Sequence, residues 1–325
     1  MASTVLVVTA LEDVTADRVV AALNEREVPV VRVDPADIGS ALTFGFRIEA
    51  ERPVWSGRLR TASREVEPGR WRRCTAVVPL LTAPGSRICP GSKGLRRRRG
   101  AVRARRRPER PVRRPVRQPP GRGGPRGVQA RPAPQARPAR AEDSPTLITN
   151  DREAAREFAA VHGPVVCKTF RGLPAGDDGR AGAIWTQRVD PGTFDDTLTV
   201  TAHLFQAEIP KTGDVRVTVV GGHVFAQQIA APDGALDWRR GDWDALLQAP
   251  ITVPPPVEAA LHAYLASFGL LFGCFDFALN GDGDDPEHWT AIECNPNGQW
   301  GWLPDADDIT EAFADLLTVE RKGRP

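Results

Sequence analysis

The sequence predicts an α/β fold in two folded parts: a small N-terminal βαβ unit, then a larger domain built on antiparallel sheets. Three observations predict it. Residues 4–33 read as strand, helix, strand. Near the end, two apolar runs, 272–280 (FGCFDFALN) and 289–295 (WTAIECN), flank a turn rich in Gly and Asp, and so pair as an antiparallel hairpin. Between the two parts, over 74–143, the composition breaks. The predicted domains are 1–73, an Arg/Pro/Gly-rich segment 74–143, a main domain 144–320 and a tail 321–325.

Taken in order, residues 4–9 (TVLVVT) form an apolar strand. Thr15 caps a helix running to about Glu27, with Val19, Val20 and Leu23 on one face, and 28–33 form a second strand. Such a unit has a parallel sheet. No G-x-G-x-x-G follows the first strand, so no dinucleotide site is expected. Short alternating segments at 42–48, 54–60 and 64–66 predict a meander.

The chain has 43 basic and 41 acidic residues, a net charge of +2 that conceals a strong asymmetry. Residues 93–140 carry 17 Arg and one Lys against Glu109 alone, or +17, which leaves −15 for the rest. That segment holds nine Pro and one Leu, with no Ile, Phe, Trp, Tyr or Met, so it cannot bury enough apolar surface to offset chain entropy and is predicted disordered. It reads in three ways: an Arg-rich nucleic-acid arm, a solvated linker, or an out-of-frame translation. We favour the third. Patterning is clear up to Arg73 and again from Pro145, and Arg, Pro, Gly and Ala dominate when GC-rich DNA is read off-frame. Two compensating frame changes, near Arg73 and near Asp143, would account for it. A nucleic-acid arm would carry lysines and interleaved aromatics, which this segment lacks. Five cysteines (Cys74, Cys89, Cys167, Cys274, Cys294) show neither paired nor zinc spacing, which suggests reduced thiols. No signal-peptide pattern and no run of about 20 apolar residues is present, so a cytoplasmic protein without a membrane span is expected.

In the main domain, Asp151 caps a helix through His162 with Ala154, Phe158 and Val161 on one face. Strand 165–170 carries Lys168 among apolar residues; a buried ammonium must meet an anion, the alternative being an edge lysine that snorkels. A Gly- and Asp-rich loop at 171–182 precedes strands at 183–189, 202–209, 214–220 and 223–229. Alternation puts Asp214 and Arg216 opposite Val215 and Val217. A helix over 254–268 turns Val257, Ala260, Leu261, Tyr264 and Leu265 inward, and a last helix begins at Asp307.

The final hairpin carries the chemistry. Asp276 lies inside one apolar strand and Glu293 closes the other, side by side on one face. Like charges that close repel unless a cation sits between them, and hard oxygens suit Mg²⁺. The alternative, a solvated strand face, fits the apolar flanks poorly. Asn295 follows two residues on.

Asp276, Glu293 and Asn295 match the D…E-x-N pattern, and this stretch resembles the metal-binding strands of the ATP-grasp superfamily. The longer string IECNPNGQWGW at 292–302 is similar to the ATP-grasp peptide maturases (graspetide or microviridin type, on the glutamate-ligase-like branch) that crosslink ribosomally made precursor peptides. The resemblance covers about 145–317 well and 3–73 less specifically. It implies an α+β ATP-grasp domain behind a small pre-ATP-grasp domain. It implies that Lys168 touches the α- and β-phosphates, that loop 171–182 closes over them, and that Gln206, Ala207, Glu208 and Ile209 form the hinge facing adenine. Asp214 and Arg216 match a D-x-R pattern of that branch, with Arg216 facing the transferred phosphoryl group; a structural Asp–Arg pair is the alternative. Arg239, and more weakly Arg240, match a D-aromatic-R segment that reaches ATP or substrate. Asp276, Glu293 and Asn295 would hold two Mg²⁺, with Mn²⁺ able to replace them.

The implied activity is ATP-dependent activation of Asp or Glu side chains as acyl phosphates, followed by attack of a Ser/Thr hydroxyl or a Lys amine to give an ester or an amide. The implied partner is a precursor peptide with its leader; a homodimer is compatible, whereas a membrane or nucleic-acid partner is not expected. This chain departs from the pattern in two places. Cys74 follows Trp71-Arg-Arg73 where relatives have proline, and no counterpart of a first ATP-contacting lysine appears before Asp143. The hinge carries Ala207-Glu208 where relatives often have an acid followed by an aromatic. The rival readings are a catalytically impaired ATP-binding relic and a nucleic-acid binder acting through the Arg-rich segment.

Overall fold

Apolar runs separated by polar turns fold, in the computed structural model, into four sheets and four α-helices among the described residues, which are 4–50, 52–67, 71–76, 144–168, 170, 185–231 and 234–318. All of these belong to one compact unit.

The first sheet is parallel. β1 (Thr4–Val8) pairs with β2 (Val30–Val33), and α1 (Val14–Glu25) crosses between them. Thr15 is not the cap of this helix. Asp13 is, because its carboxylate reaches the free Thr15 and Ala16 N–H groups from the preceding extended residue, while Thr15 is buried in the first turn. The meander follows as β3 (Thr43–Glu49), β4 (Arg52–Arg60) and β5 (Glu65–Val66), and β6 (Trp71–Ala76) then returns beside β1. The β6 strand runs three residues beyond Arg73, where the patterned first domain was expected to end. Residues 77–143 are outside the described residues, and so is most of the segment read as disordered and out of frame.

In the main domain β7 (Thr146–Thr149), α2 (Arg152–His162), β8 (Val165–Lys168), β9 (Gln187–Arg188) and β10 (His203–Ala207) come next, and the sheet order is β7-β10-β8-β9. Asp151 caps α2 as expected. The inward face differs in part: Phe158 packs against this core as expected, half-buried. Ala155 and Ala159 are buried, whereas Val161 is 75% exposed, because small side chains let the helix sit close on Phe194, Leu198 and Phe205. Loop 171–182 lies outside the described residues.

β11 (Gly213–Val220), β12 (His223–Ala230), β13 (Leu247–Pro250), α3 (Pro255–Ser267), β14 (Phe272–Leu279), β15 (Trp289–Asn295) and α4 (Ala306–Thr318) complete the domain. Their sheet is antiparallel throughout, in the order β13-β12-β11-β14-β15. One face, with Val215, Val217, Val219, Phe275, Phe277 and Leu279, packs against Leu261 and Leu265 of α3. Tyr264 does not turn fully inward: it is 41% exposed, with its ring 5.0 Å from that of Phe268 and edge-on to Phe275 at 5.6 Å between centroids. The other face divides along its length. Val220 and Cys274 join the core formed with β1, α1 and α4, while Asp214, Arg216, Asp276 and Glu293 occupy the opposite end.

Candidate active site

Register assembles the charged end. Asp276 of β14 stands opposite Glu293 of β15 and, on its other side, Arg216 of β11, with Arg216 Nε 3.3 Å from Asp276 Oδ1. A β-bulge immediately after Asp276 breaks the ladder at that point. Burial pushes the Asp276 carboxyl up to about 6, with Arg216 pulling the other way and Glu293 adding to the rise. Glu293 is about half exposed, and Arg239 Nη1 lies 3.6 Å from its Oε1. Arg239 is itself gripped by Asp237, Nε to Oδ1 at 2.8 Å and Nη2 to Oδ2 at 3.0 Å, which holds the guanidinium firmly charged despite its burial. Burial alone would raise the Asp237 carboxyl, but the Arg239 hydrogen bonds outweigh it and the net shift is downward.

Lys168 projects from β8 into the same space, donating to Gln206 Oε1 at 2.7 Å. Burial lowers its pKa against the pull of Glu293. This is an ammonium with a neutral partner, as expected of a group awaiting an anion. Lys211 donates to both carboxylate oxygens of Asp214 at 2.7 Å and to Leu236 O at 2.7 Å. The Asp214 carboxyl is raised by burial, partly offset by Lys211. Asp214 and Arg216 therefore engage separate partners, and the structural Asp–Arg pair is not formed. Lys168, Gln206, Ala207, Glu208, Ile209, Asp214, Arg239, Asp276 and Glu293 line one cavity of about 440 Å³ between the four- and five-stranded sheets.

Three expected residues stand outside that lining, the weaker candidate Arg240 among them, exposed to solvent. Arg216 lies behind Asp276, with Trp238 over its guanidinium at 5.9 Å. Asn295 is exposed one step further along β15, its Oδ1 accepting from Asn297 N at 2.9 Å. Glu208 faces the cavity but bonds Arg188 through both oxygens, at 2.6 and 2.7 Å. The roles of Lys211 and Trp238 were missed in the sequence. Lys211 could have been found from its i,i+3 spacing to Asp214; the Trp238 contact has no local signal.

Among the described residues, no three His, Cys, Asp or Glu side chains are grouped to hold a metal ion by themselves. Two carboxylates in register with an amide nearby nonetheless suit Mg²⁺, which takes few protein ligands and shares itself with phosphates. The buried Arg216 Nε and Nη1 have no hydrogen-bond partner among the described residues, which favours an anion at this end of the sheet.

The segment after β15 ties the site to the rest of the chain. A Cβ on Gly298 would stand 2.3 Å from Cys274 Cβ, so only glycine fits. Thr15 of α1 donates to Gln299 Oε1 at 2.5 Å, Trp300 stacks on Phe313 at 5.3 Å, and Trp302 lies 5.1 Å from Trp238.

No protein-family model matches the chain, and no curated protein does. Solved structures do. An ATP-grasp ligase associated with ribosomally synthesised and post-translationally modified peptides from Chryseobacterium gregarium, in complex with ADP and a leader and core peptide, aligns with a TM-score of 0.65 and 19% identity over 97% of this chain and 96% of that one. The macrocyclase MdnC of Microcystis aeruginosa MRC, bound with the precursor peptide MdnA, aligns with a TM-score of 0.64 and 21% identity over 97% and 99%. The ATP-grasp ligase PsnB, complexed with a phosphomimetic variant of a minimal precursor, Mg and ADP, gives 0.59 and 15% over 97% and 99%. The chain thus has the ATP-grasp fold, as its sequence led us to expect.

Proposed function

We propose that this chain is an ATP-dependent ligase that activates Asp or Glu side chains of a ribosomally made precursor peptide and joins them to a hydroxyl or amine of the same peptide. The observation that carries this reading is the placement of Lys168, Arg239, Asp276 and Glu293 around one cavity, with Arg216 against Asp276. Support comes from the neighbours of the same fold, described as bound to ADP, Mg and leader or core peptides.

The chain's own groups divide the work. Backbone at Gln206–Ile209 faces adenine, and Lys168 exchanges Gln206 for phosphate oxygens. Asp276, Glu293 and Asn295 would hold Mg²⁺, as two ions or with Mn²⁺ in their place. Bound there, Mg²⁺ would supply neutralisation of the phosphate charge. Arg216 and Arg239 stabilise charge on the phosphoryl group, where a fixed guanidinium is most effective. A carboxylate oxygen of the peptide attacks the γ-phosphorus, the bond to ADP breaks, and an acyl phosphate forms. The nucleophile then attacks the carbonyl carbon, phosphate leaves with the carboxylate oxygen, and the nucleophile's proton passes to solvent. A cytoplasmic setting belongs to this reading, and a homodimer is compatible with it; no described helix is long and apolar enough to cross a membrane.

The test is a mass measurement. The purified chain, Mg·ATP and a peptide bearing a leader and an Asp/Glu- and Ser/Thr/Lys-containing core should yield one ADP and the loss of one water per crosslink. Mg·ATP binding without turnover would instead mark a relic.

A further inference from the structure

The charged row at the site does not stop at Arg216. Across β12, Gln227 is the register partner of Arg216, so Glu293, Asp276, Arg216 and Gln227 stand side by side on four adjacent strands. Gln227 is only 4% exposed, an unusual place for an amide unless it is bonded. Its Nε2 donates to Asp305 Oδ2 at 3.1 Å, and Asp305 comes from the segment that also places Trp302 on Trp238. Three atoms of this row and one of Asp305 are buried without a hydrogen-bond partner among the described residues: Arg216 Nε and Nη1, Gln227 Oε1 and Asp305 Oδ1. Donors and acceptors are thus stored side by side, unpaired, next to the group that carries the charge.

We infer that Gln227 and Asp305 are positioning residues for Arg216: Asp305 anchors the Gln227 amide, whose oxygen holds the guanidinium when Asp276 is engaged elsewhere. The inference rests on the role given to Arg216 under "Proposed function". Its logic is electrostatic. Asp276 neutralises Arg216 at 3.3 Å in this structure, but a carboxylate recruited by a cation and phosphates no longer does so. A neutral amide can orient the guanidinium without cancelling its charge, whereas a carboxylate in the same place would quench the field that the phosphoryl group needs. Asp305 supplies the rigidity one residue further away, where its charge acts less directly on Arg216.

Two readouts on the full chain test this. The first needs no peptide. In the ¹⁵N-labelled chain with Mg and a non-hydrolysable ATP analogue, the Arg216 guanidinium signals are assigned by their loss in Arg216→Lys. Gln227→Leu should speed exchange of those protons with water by at least about tenfold. The second is ADP release with the acidic core peptide. Gln227→Leu should lower kcat about 10- to 100-fold while KM for ATP moves less than about twofold. In an Arg216→Lys background the same substitution should cost less than about twofold, because residues acting as a unit are not additive. Asp305→Asn, which keeps an acceptor, should retain more kcat than Asp305→Leu. Should Gln227→Leu unfold at the assay temperature, Gln227→Glu carries the test: size is kept, added charge neutralises Arg216, and kcat falls with KM unchanged. Unaltered proton exchange, full additivity, or wild-type kcat in Gln227→Glu overturns the inference. An Arg216→Lys variant with wild-type turnover overturns the role given to Arg216 and this inference with it; an impaired Arg216→Lys with full additivity overturns this inference alone.

Discussion

The two faces of the five-stranded sheet are made from the same strands and, along β11, are buried alike, yet they do opposite things. On β11, Val215, Val217 and Val219 point into the core under α3, while Asp214 and Arg216, alternating with them, lie on the opposite face, Asp214 lining the cavity and Arg216 against Asp276. The apolar face is stabilised by burial, each large side chain contributing roughly 1.5–3 kcal/mol. The polar face is equally shielded at its centre, so every charge there needs a partner: Lys211 for Asp214, Asp276 for Arg216, Asp237 for Arg239. A two-residue period thus separates stability from chemistry on one backbone.

If that division holds, substitutions on the two faces should fail in different assays. The largest effect is expected at Glu293→Gln, which removes a charged metal ligand and should lower kcat by about 10²–10³-fold or more with little change in Tm. Near wild-type ATP consumption would remove Glu293 from the site. Leu265→Ala, on the opposite face, should cost about 2–5 kcal/mol in denaturant unfolding while leaving KM for ATP unchanged in the folded fraction. Lys168→Ala should raise KM for ATP about tenfold or more without a comparable loss of stability, since its protein partner is a neutral amide. A large fall in Tm without nucleotide would make it structural.

The smallest effect concerns pH. Burial raises the Asp276 carboxyl to about 6. The folded state therefore binds the proton more tightly than the unfolded chain does. That stabilisation is fully present below about pH 4 and is lost as pH rises through about 6. Asp276→Asn should remove the decline, so the gap in unfolding free energy between variant and wild type should widen by on the order of 2 kcal/mol from pH 4 to 7. A constant gap would mean that Asp276 is ionised throughout.

Much of the site was legible in the sequence, for a physical reason. Asp276 and Glu293 sit in strands, and strand alternation fixes which side chains share a face once the turn sets the register. Helix faces were less legible. In α2 the buried residues are alanines, whose small apolar surface gives a weak periodic signal, and in α3 Tyr264 keeps its ring at the rim. Partners distant in sequence were not legible at all: Asp305 meets Gln227 across 78 residues, and Thr15 meets Gln299 across 284. Only folding brings such pairs together. The loop 171–182 and the Arg-rich segment beyond Ala76 fall outside the described residues, so they enter neither comparison.

The central claim is that the polar face transfers the γ-phosphoryl group of ATP to a peptide carboxylate. The most direct test follows the oxygen. A core peptide labelled with heavy oxygen in its Asp and Glu carboxylates is incubated with the chain and Mg·ATP, and the released phosphate is weighed. Transfer through an acyl phosphate predicts one heavy oxygen in the phosphate for each crosslink formed. Crosslinked peptide accompanied by unlabelled phosphate would contradict it.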